Sequence, residues 1–138
     1  MAPLTSTDRL EIQELVSRYN WADDTADGEA FAATFTPQGV FEGGSHHASG
    51  HDELVALGNS VAPRRPAGCQ HWVTNLVLEG NDQTARMKCY FALHRVDEQG
   101  RIEVRSLGYY VDDVAKTPNG WLFARRTYRR WPPAEGGA

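Results

Sequence analysis

The sequence predicts an α+β fold in which three N-terminal helices pack on a strongly curved, mainly antiparallel sheet. Two observations carry this prediction: apolar residues recur at three- and four-residue steps in the N-terminal half, and at every second position from Gln70 onward. The chain has 138 residues, 41% of them hydrophobic, which fits one domain with its own core. We therefore predict a single domain over residues 1–131 and a disordered tail, rich in Pro and Gly, at 132–138.

The first predicted helix is TDRLEIQELVSRYNWADD. Thr7 or Asp8 is its candidate N-cap, and Glu11 would complete a capping box with Asp8. Its apolar residues recur at helical spacing and form one buried stripe. The stripe consists of Ile12, Leu15, Val16 and Tyr19.

Three acidic residues stand where this helix ends. At about 100° per residue, Asp23 continues the buried stripe and Asp24 lies at its border. Asp27 precedes Gly28 and is the natural N-cap of a second helix. The sequence thus predicts that Asp27 is a cap and that at least one of Asp23 and Asp24 turns inward.

Two more helices and a short strand follow. DGEAFAATF is the second helix, with Phe31 and Phe35 one turn apart, and TPQG ends it. VFEGG is a short strand that contains Phe41, and GHDELVALGNS is the third helix, with Leu54 and Leu57 on its buried side. The intervening EGGSHHASGH is rich in Gly and Ser and has no fixed ligand spacing, so it predicts a mobile loop and no metal site.

Four long runs rich in apolar and aromatic residues make up the C-terminal half: QHWVTNLVLEG, TARMKCYFALHRVDEQG, RIEVRSLGYYVDDVAKTPNG and WLFARRTYRRW. The turn signals GND, DEQG and TPNG separate them, which predicts an antiparallel meander. Because alternate side chains of a strand share a face, the first run places His71, Val73 and Asn75 together on one face.

The same alternation sorts other polar residues. His94 shares a face with Tyr90, and Tyr109 and Tyr110 point to opposite faces of the third run. One of these two tyrosines is expected to enter a pocket, and the sequence does not select between them. The arginine-rich RRTYRRW predicts a solvated or interfacial strand, with one arginine binding an anionic substrate group as the alternative. PRRP, at 63–66, predicts a stiff loop.

Composition excludes several classes of protein. The net charge of −4 leaves no basic excess for a nucleic-acid surface. Cys69 and Cys89 are too few for a disulfide framework and lack the spacing of a zinc site. The N-terminus lacks the basic and apolar regions of a signal peptide, and no apolar run is long enough to span a membrane. We therefore expect a cytoplasmic protein without a membrane partner.

Several segments together resemble a known family. The helix that ends in Tyr and Asp, DGEAFAATFTPQGVF, QHWVTNLVLEG and GYYVDDV…NGWLFARR are similar to the SnoaL-like branch of the nuclear-transport-factor-like superfamily, over residues 7–128. The resemblance implies a cone-shaped α+β barrel with a pocket between the sheet and the first helices. The superfamily includes scytalone dehydratase, bile acid 7α-dehydratase, ketosteroid isomerase, polyketide cyclases, dioxygenase small subunits and non-enzymatic binders. Since one fold carries all of these, the polar groups in the pocket decide the function.

The resemblance also implies roles for individual residues. In dehydratases of this branch a helix Tyr is followed five residues later by a pocket Asp, and Tyr19 and Asp24 hold those positions. The dehydratases carry an essential histidine at the strand position of His71 and a second polar pocket residue near His94. Asp23 stands where scytalone dehydratase has a tyrosine. The expected substrate contacts are Asp23, Asn75, Tyr109, Tyr110, Phe41 and Trp21.

These groups supply proton transfer. A histidine held by a carboxylate can act as a base and then as an acid, and neighbouring donors can stabilise an enolate. We therefore predict a cofactor-independent dehydratase or related lyase that acts on a largely apolar cyclic or aromatic β-hydroxy carbonyl compound. His71 is the acid and base in this prediction, and Asp24 orients it. Tyr19 and His94 polarise the substrate.

Two other classes of function stay open. In an isomerase or polyketide cyclase, Asp23 or Asp24 would itself carry the proton. A non-catalytic small-molecule binding module, or a scaffold like a dioxygenase small subunit, would use the pocket without chemistry. The expected partners are a small apolar or aromatic substrate and further copies of the chain, in a homodimer or homotrimer.

Overall fold

The chain forms three α-helices, a 3₁₀ turn and six strands in the computed structural model, which describes residues 1–134. The helices are α1 (Ser6–Asp24), α2 (Gly28–Ala33) and α3 (His51–Ser60), and the 3₁₀ turn is Ala62–Arg64. The strands are β1 (Phe35–Gly43), β2 (His46–Ser49), β3 (Cys69–Gly80), β4 (Thr84–Val96), β5 (Ile102–Thr117) and β6 (Gly120–Arg130). Residues 135–138 of the predicted tail lie outside the described part of the chain.

The N-cap of α1 is Thr5, so the predicted caps Thr7 and Asp8 were wrong. The Thr5 hydroxyl accepts the Asp8 backbone N–H at 3.0 Å, and the Asp8 carboxylate accepts the Thr5 N–H at 3.0 Å. This is a capping box in which Asp8, rather than Glu11, is the acidic member. The Asp8 carboxylate also accepts the indole N–H of Trp121 at 3.0 Å, which ties the start of α1 to β6.

The segment after α1 is more extended than predicted. Asp27 caps α2 as predicted, since its carboxylate accepts the Ala30 N–H at 3.0 Å. The helix ends at Ala33, and Phe35 already belongs to β1, which includes TPQG. The predicted mobile loop contains β2, which pairs antiparallel with β1 across a turn at Gly44 (φ 57°). The Gly and Ser residues of this segment indicate a loop, but β2 forms because its backbone pairs with β1.

Strand order in the sheet is β2-β1-β6-β5-β4-β3. The four predicted C-terminal strands are confirmed as an antiparallel meander, and the parallel β1–β6 pair joins the hairpin to it. Bulges interrupt the β3–β4, β4–β5 and β5–β6 ladders, and bulges increase local twist and bend. The sheet is therefore strongly curved and open, with the three helices on its concave side, as the α+β prediction required.

The core lies between α1 and the concave face of the sheet. Tyr19 is at its centre, 2% exposed, with its ring centre 4.9 Å from that of Phe31 and 5.7 Å from that of Phe123. The predicted apolar stripe of α1 is buried, and so are Leu54 and Leu57 of α3. No helix within residues 1–134 is long and apolar enough to cross a membrane.

Candidate functional site

Strand register decides which side chains face the concave side. Residues that pair directly across two strands share a face, and the pairs His71–Leu93 and Val73–Phe91 join β3 to β4 on the concave face. Trp72 pairs with Ala92 on the convex face. The candidate site lies where the concave face of β3 meets the end of α1.

Asp24, the last residue of α1, contacts His71 twice. Its Oδ1 lies 2.7 Å from the ring Nδ1, and its Oδ2 accepts the His71 backbone N–H at 3.0 Å. An ionised carboxylate can only accept, so Nδ1 carries the proton and Nε2 is the basic nitrogen of the neutral ring. The side chains are 7% and 14% exposed for His71 and Asp24, so the Asp24–His71 pair is largely shielded from water.

Asp23 also turns inward. Its Oδ2 lies 3.7 Å from His71 Nδ1, and its Oδ1 lies 2.6 Å from Nη2 of Arg65. Both acids at the end of the helix therefore face the site, where the sequence required only one. Arg65 belongs to the segment predicted as a stiff loop, and sequence reasoning missed it because a loop arginine has no periodicity that indicates its partner.

Tyr19 and Tyr110 lie deeper on the concave side, with ring centres 6.0 Å apart. The register assigns the two tyrosines to opposite faces, because Tyr110 pairs with buried Cys89 on the concave face while Tyr109 pairs with half-exposed Tyr90 on the convex face. Burial raises the pKa of Tyr19 well above its ordinary value, and the nearby Tyr110 adds to this effect. Burial likewise raises the pKa of Tyr110. Both phenols stay protonated and can donate hydrogen bonds at neutral pH.

Arg126 is fully buried beneath these tyrosines. Its guanidinium carbon lies 3.5 Å from the Tyr110 ring centre and 4.3 Å from that of Tyr19, in cation–π contact with both. Its Nε lies 3.3 Å from Oδ1 of Asp112, and burial raises the pKa of Asp112 to about 7 against the lowering effect of Arg126. Alternation had placed Arg126 correctly opposite Arg125, but the prediction of a solvated or interfacial strand missed this buried cation.

His94 lies on the convex face, away from His71. It pairs with Gln70, one position before His71. Its ring centre lies 4.2 Å from that of Trp72 on the convex face. The predicted common face with Tyr90 is confirmed, but that face is the outer one. The structure therefore does not bring the two histidines together.

The other predicted contacts are dispersed. A bulge between Thr74 and Val77 gives Asn75 a φ of 61°, so Leu76 rather than Asn75 continues the inner face of β3. Asn75 is exposed and Trp21 is 73% exposed, so both reach the site only as part of the lining of a surface groove. Phe41 is buried in the core. Simple alternation fails at Asn75 because the bulge inserts one extra residue.

A groove between α1 and β3 reaches the site from outside. Its volume is about 680 Å³, and its lining includes Asn20, Trp21, His71 and Asn75. A second groove, of about 830 Å³, runs between α1, α2 and the start of β1, away from His71. Within residues 1–134, no group of three or more His, Cys, Asp or Glu side chains is placed to hold a metal ion.

A curved open sheet that holds a long first helix against its concave face, with polar groups at their junction, defines the nuclear-transport-factor-like class. Within that class the chain belongs to the SnoaL-like family, whose model, a SnoaL-like domain, matches residues 5–127. This confirms the resemblance seen in the sequence. No curated protein matches the chain significantly.

Three proteins of solved structure are similar to this chain in sequence and fold. A Nostoc punctiforme protein of unknown function with a cystatin-like fold is 28% identical, with a TM-score of 0.84, over 94% of this chain and 96% of that one. A proposed aromatic ring hydroxylase from Novosphingobium aromaticivorans is 30% identical, with a TM-score of 0.79, over 94% and 93%. A Catenulispora acidiphila protein, solved in complex with S-DNPA, is 25% identical, with a TM-score of 0.79, over 91% and 95%.

Proposed function

We propose that the protein is a cofactor-independent dehydratase that acts on a largely apolar cyclic or aromatic β-hydroxy carbonyl compound. The observation that carries the proposal is the 2.7 Å contact between Asp24 Oδ1 and His71 Nδ1 in a shielded site. Such a pair fixes the tautomer of the imidazole and stabilises the imidazolium that forms when Nε2 takes a proton. A base of this kind suits proton abstraction next to a carbonyl.

The reaction then proceeds in two proton transfers. Nε2 of His71 removes the proton α to the carbonyl, and the electron pair moves into the enolate. Phenol donors hold the enolate oxygen, and the buried tyrosines Tyr19 and Tyr110 replace His94 in this role because His94 lies on the other face of the sheet. The β-hydroxyl departs with the proton that the imidazolium returns, which gives an enone and water.

Similar structures support a small organic ligand. The Catenulispora acidiphila structure contains S-DNPA, and the Novosphingobium aromaticivorans protein is named for aromatic ring hydroxylation. The concave side here is lined with aromatic rings: Phe91 lies 5.0 Å from Tyr110 and 5.2 Å from Tyr128 between ring centres. The groove that contains His71 has apolar and polar side chains in its lining, and its members Trp21, Val73 and Leu76 suit a largely apolar, ring-containing substrate.

The test is water loss from a panel of cyclic β-hydroxy ketones in D₂O, followed by enone absorbance and by NMR. The wild type should form enone, and His71→Gln should lose at least about 100-fold in rate. His47→Gln is the matched control, because His47 is exposed on β2. Equal rates in the wild type and His71→Gln would overturn the proposal.

Two other functions make different predictions in the same assay. In an isomerase or cyclase, Asp23 or Asp24, which lie 3.7 and 2.7 Å from His71 Nδ1, would itself carry the proton. That function would show retained catalysis in His71→Ala and its loss in Asp24→Asn or Asp23→Asn. A binding module would return its ligand unchanged and without deuterium. The filling of the interior by Arg126 is the observation that favours this last alternative.

We also propose that the convex face of the sheet binds a second copy of the chain. Large apolar side chains are exposed there in a continuous band across β3, β4, β5 and the residue after β6. They are Trp72, Tyr90, Val96, Ile102, Val104, Leu107 and Trp131. Exposed apolar patches of this kind mark interaction surfaces, and two sheet faces can pack directly on each other. A dimer follows most simply, and a trimer is the alternative.

A further inference from the structure

The loop 61–68 holds one arginine next to the site. At its start, the 3₁₀ turn is closed by the Arg65 N–H, which donates to the Ala62 carbonyl at 3.0 Å. At its end, the Val96 N–H donates to the Gly68 carbonyl at 3.0 Å. Gly68 has a φ of 87°, and a Cβ there would lie 2.3 Å from the Val96 carbonyl oxygen, so only glycine allows this approach. The loop is thus fixed at both ends, and Arg65 lies between them.

Arg65 contacts one of the two carboxylates beside His71. Its Nη2 lies 2.6 Å from Asp23 Oδ1, and the two side chains are 16% and 8% exposed. The other Asp23 oxygen lies 3.7 Å from His71 Nδ1, while Asp24 lies at 2.7 Å. The imidazole therefore has two carboxylates within 4 Å, and Arg65 offsets the charge of the farther one.

We infer that Arg65 is a positioning residue, which offsets the charge of Asp23 so that Asp24 alone sets the protonation of His71. This inference rests on the proposed function, in which His71 must both take and release a proton. Two uncompensated carboxylates would hold His71 as an imidazolium, which cannot act as a base. Arg65 also holds the Asp23 carboxylate by its Oδ1, so that Nδ1 of His71 donates to the nearer Asp24.

Within residues 1–134, Asp23 and Asp24 are the charged side chains that form ion pairs with the His71 ring. The charged neighbours are Asp23 and Asp24 from α1, with Arg65 behind Asp23. From β4, the ring is faced by Phe91, 5.6 Å away between ring centres, and by its register partner Leu93. Neither of these side chains titrates, so Asp23, Asp24 and Arg65 are the charges that act on the His71 ring.

The test is an NMR titration of the His71 ring, which needs no substrate. In Arg65→Met the guanidinium is lost and the titration midpoint of His71 should rise by about one pH unit. Arg65→Lys keeps the charge and should stay close to the wild type. Arg64→Met is the matched control, because Arg64 is exposed and its side chain donates to Ser60, away from Asp23. Equal midpoints in Arg65→Met and Arg64→Met would overturn the inference.

A double variant separates charge from misfolding. Arg65→Met combined with Asp23→Asn removes both charges, so the midpoint should return toward that of the wild type. A midpoint that stays raised in the double variant would mean that Arg65 acts on His71 by a route other than Asp23, which contradicts the inference.

Turnover data distinguish failure of this inference from failure of the proposed function. If hydroxy ketones lose water, Arg65→Met should move the acidic limb of the pH–rate profile upward. An unmoved limb in an active enzyme contradicts the role of Arg65 alone. A wild type without turnover would contradict the proposed dehydratase function. If the titration midpoint of His71 still rises in Arg65→Met, the inference that Arg65 offsets the charge of Asp23 is supported.

Discussion

The Asp24 carboxylate contacts His71 both at Nδ1 of its ring, 2.7 Å away, and at its backbone N–H, 3.0 Å away. The two residues stand 47 positions apart in the chain, one at the end of a helix and one in an edge strand. Two contacts from one carboxylate fix both the position of the strand and the orientation of the ring. Substitution of Asp24 therefore reports on the ring directly.

Asp24→Asn should weaken the site without removing it. The amide oxygen can still accept the Nδ1–H, but the negative charge that stabilises the imidazolium is lost. We expect the titration midpoint of His71 to fall, opposite to the effect of Arg65→Met, and kcat/KM for dehydration to drop by about 100-fold or more. NMR of the ring and steady-state kinetics measure the two effects.

Asp27→Asn is the control for that substitution. It also removes one negative charge, three residues from Asp24. Asp27 is the N-cap of α2, a position where asparagine serves as well as aspartate. The ring titration should match the wild type. A midpoint that moves equally in both variants would show that net charge, and not the contact, controls His71.

Arg126→Met should be strongly destabilising. At about pH 8, above the pKa of about 7 to which burial raises Asp112, the variant leaves an ionised carboxylate that is 1% exposed without its cation, and breaking one partner of a buried pair costs about 3–5 kcal/mol. The double variant Arg126→Met, Asp112→Asn should recover a large part of this loss, because no uncompensated charge stays buried. Urea unfolding of Arg126→Met, Asp112→Asn and the double variant measures the three losses in the free energy of unfolding. If the loss in the double variant equals the sum of the two single losses, the pairing is contradicted.

Stability should depend on pH through Asp112. Burial raises the pKa of this carboxyl from 3.8 to about 7, so the folded protein keeps a proton that the unfolded chain releases across this range. Since the unfolded state binds fewer protons, the contribution of Asp112 to the free energy of unfolding falls as the pH rises from about 4 to about 7. The stability of Asp112→Asn relative to wild type should rise over that window in urea unfolding. A constant difference would mean that Asp112 is ionised throughout.

Asp8 should have the opposite pH dependence. Hydrogen bonds from the Thr5 backbone and the Trp121 indole hold the pKa of Asp8 well below its ordinary value. Its stabilisation is present above the ordinary pKa of an aspartate and is lost as the pH falls through the lowered value. Asp8→Asn should lower Tm at pH 7 and lower it less near pH 3. Glu11→Gln, at an exposed position, should show no such trend.

Leu107→Glu tests the proposed oligomer. Leu107 is 51% exposed within the apolar band on the convex face, and a buried unpaired charge there would oppose association. Light scattering should give a higher mass for the wild type than for the variant. Leu10→Glu is the control, because Leu10 is 65% exposed on α1. A monomeric wild type, or equal masses in both variants, would contradict the proposal.

Much of the fold was predictable because its signals are local. The stripe of α1, the cap at Asp27, α3 and the four long strands follow from spacing and turn residues within a few positions. The β2 strand was not predictable, because Gly and Ser in HHAS and its neighbours indicate a loop and only the partner β1 makes it a strand. The N-cap at Thr5 was missed because several capping residues stand in a row.

The sequence by itself determined which side chains share a face: His71 with Val73, His94 with Tyr90, and Arg126 away from Arg125. Only the tertiary structure decided which face is buried, because that depends on register between strands and on bulges such as the one at Asn75. These are contacts between distant parts of the chain, which no local period records. For the same reason the sequence could name the acids at the end of α1, while folding brought them to the histidine.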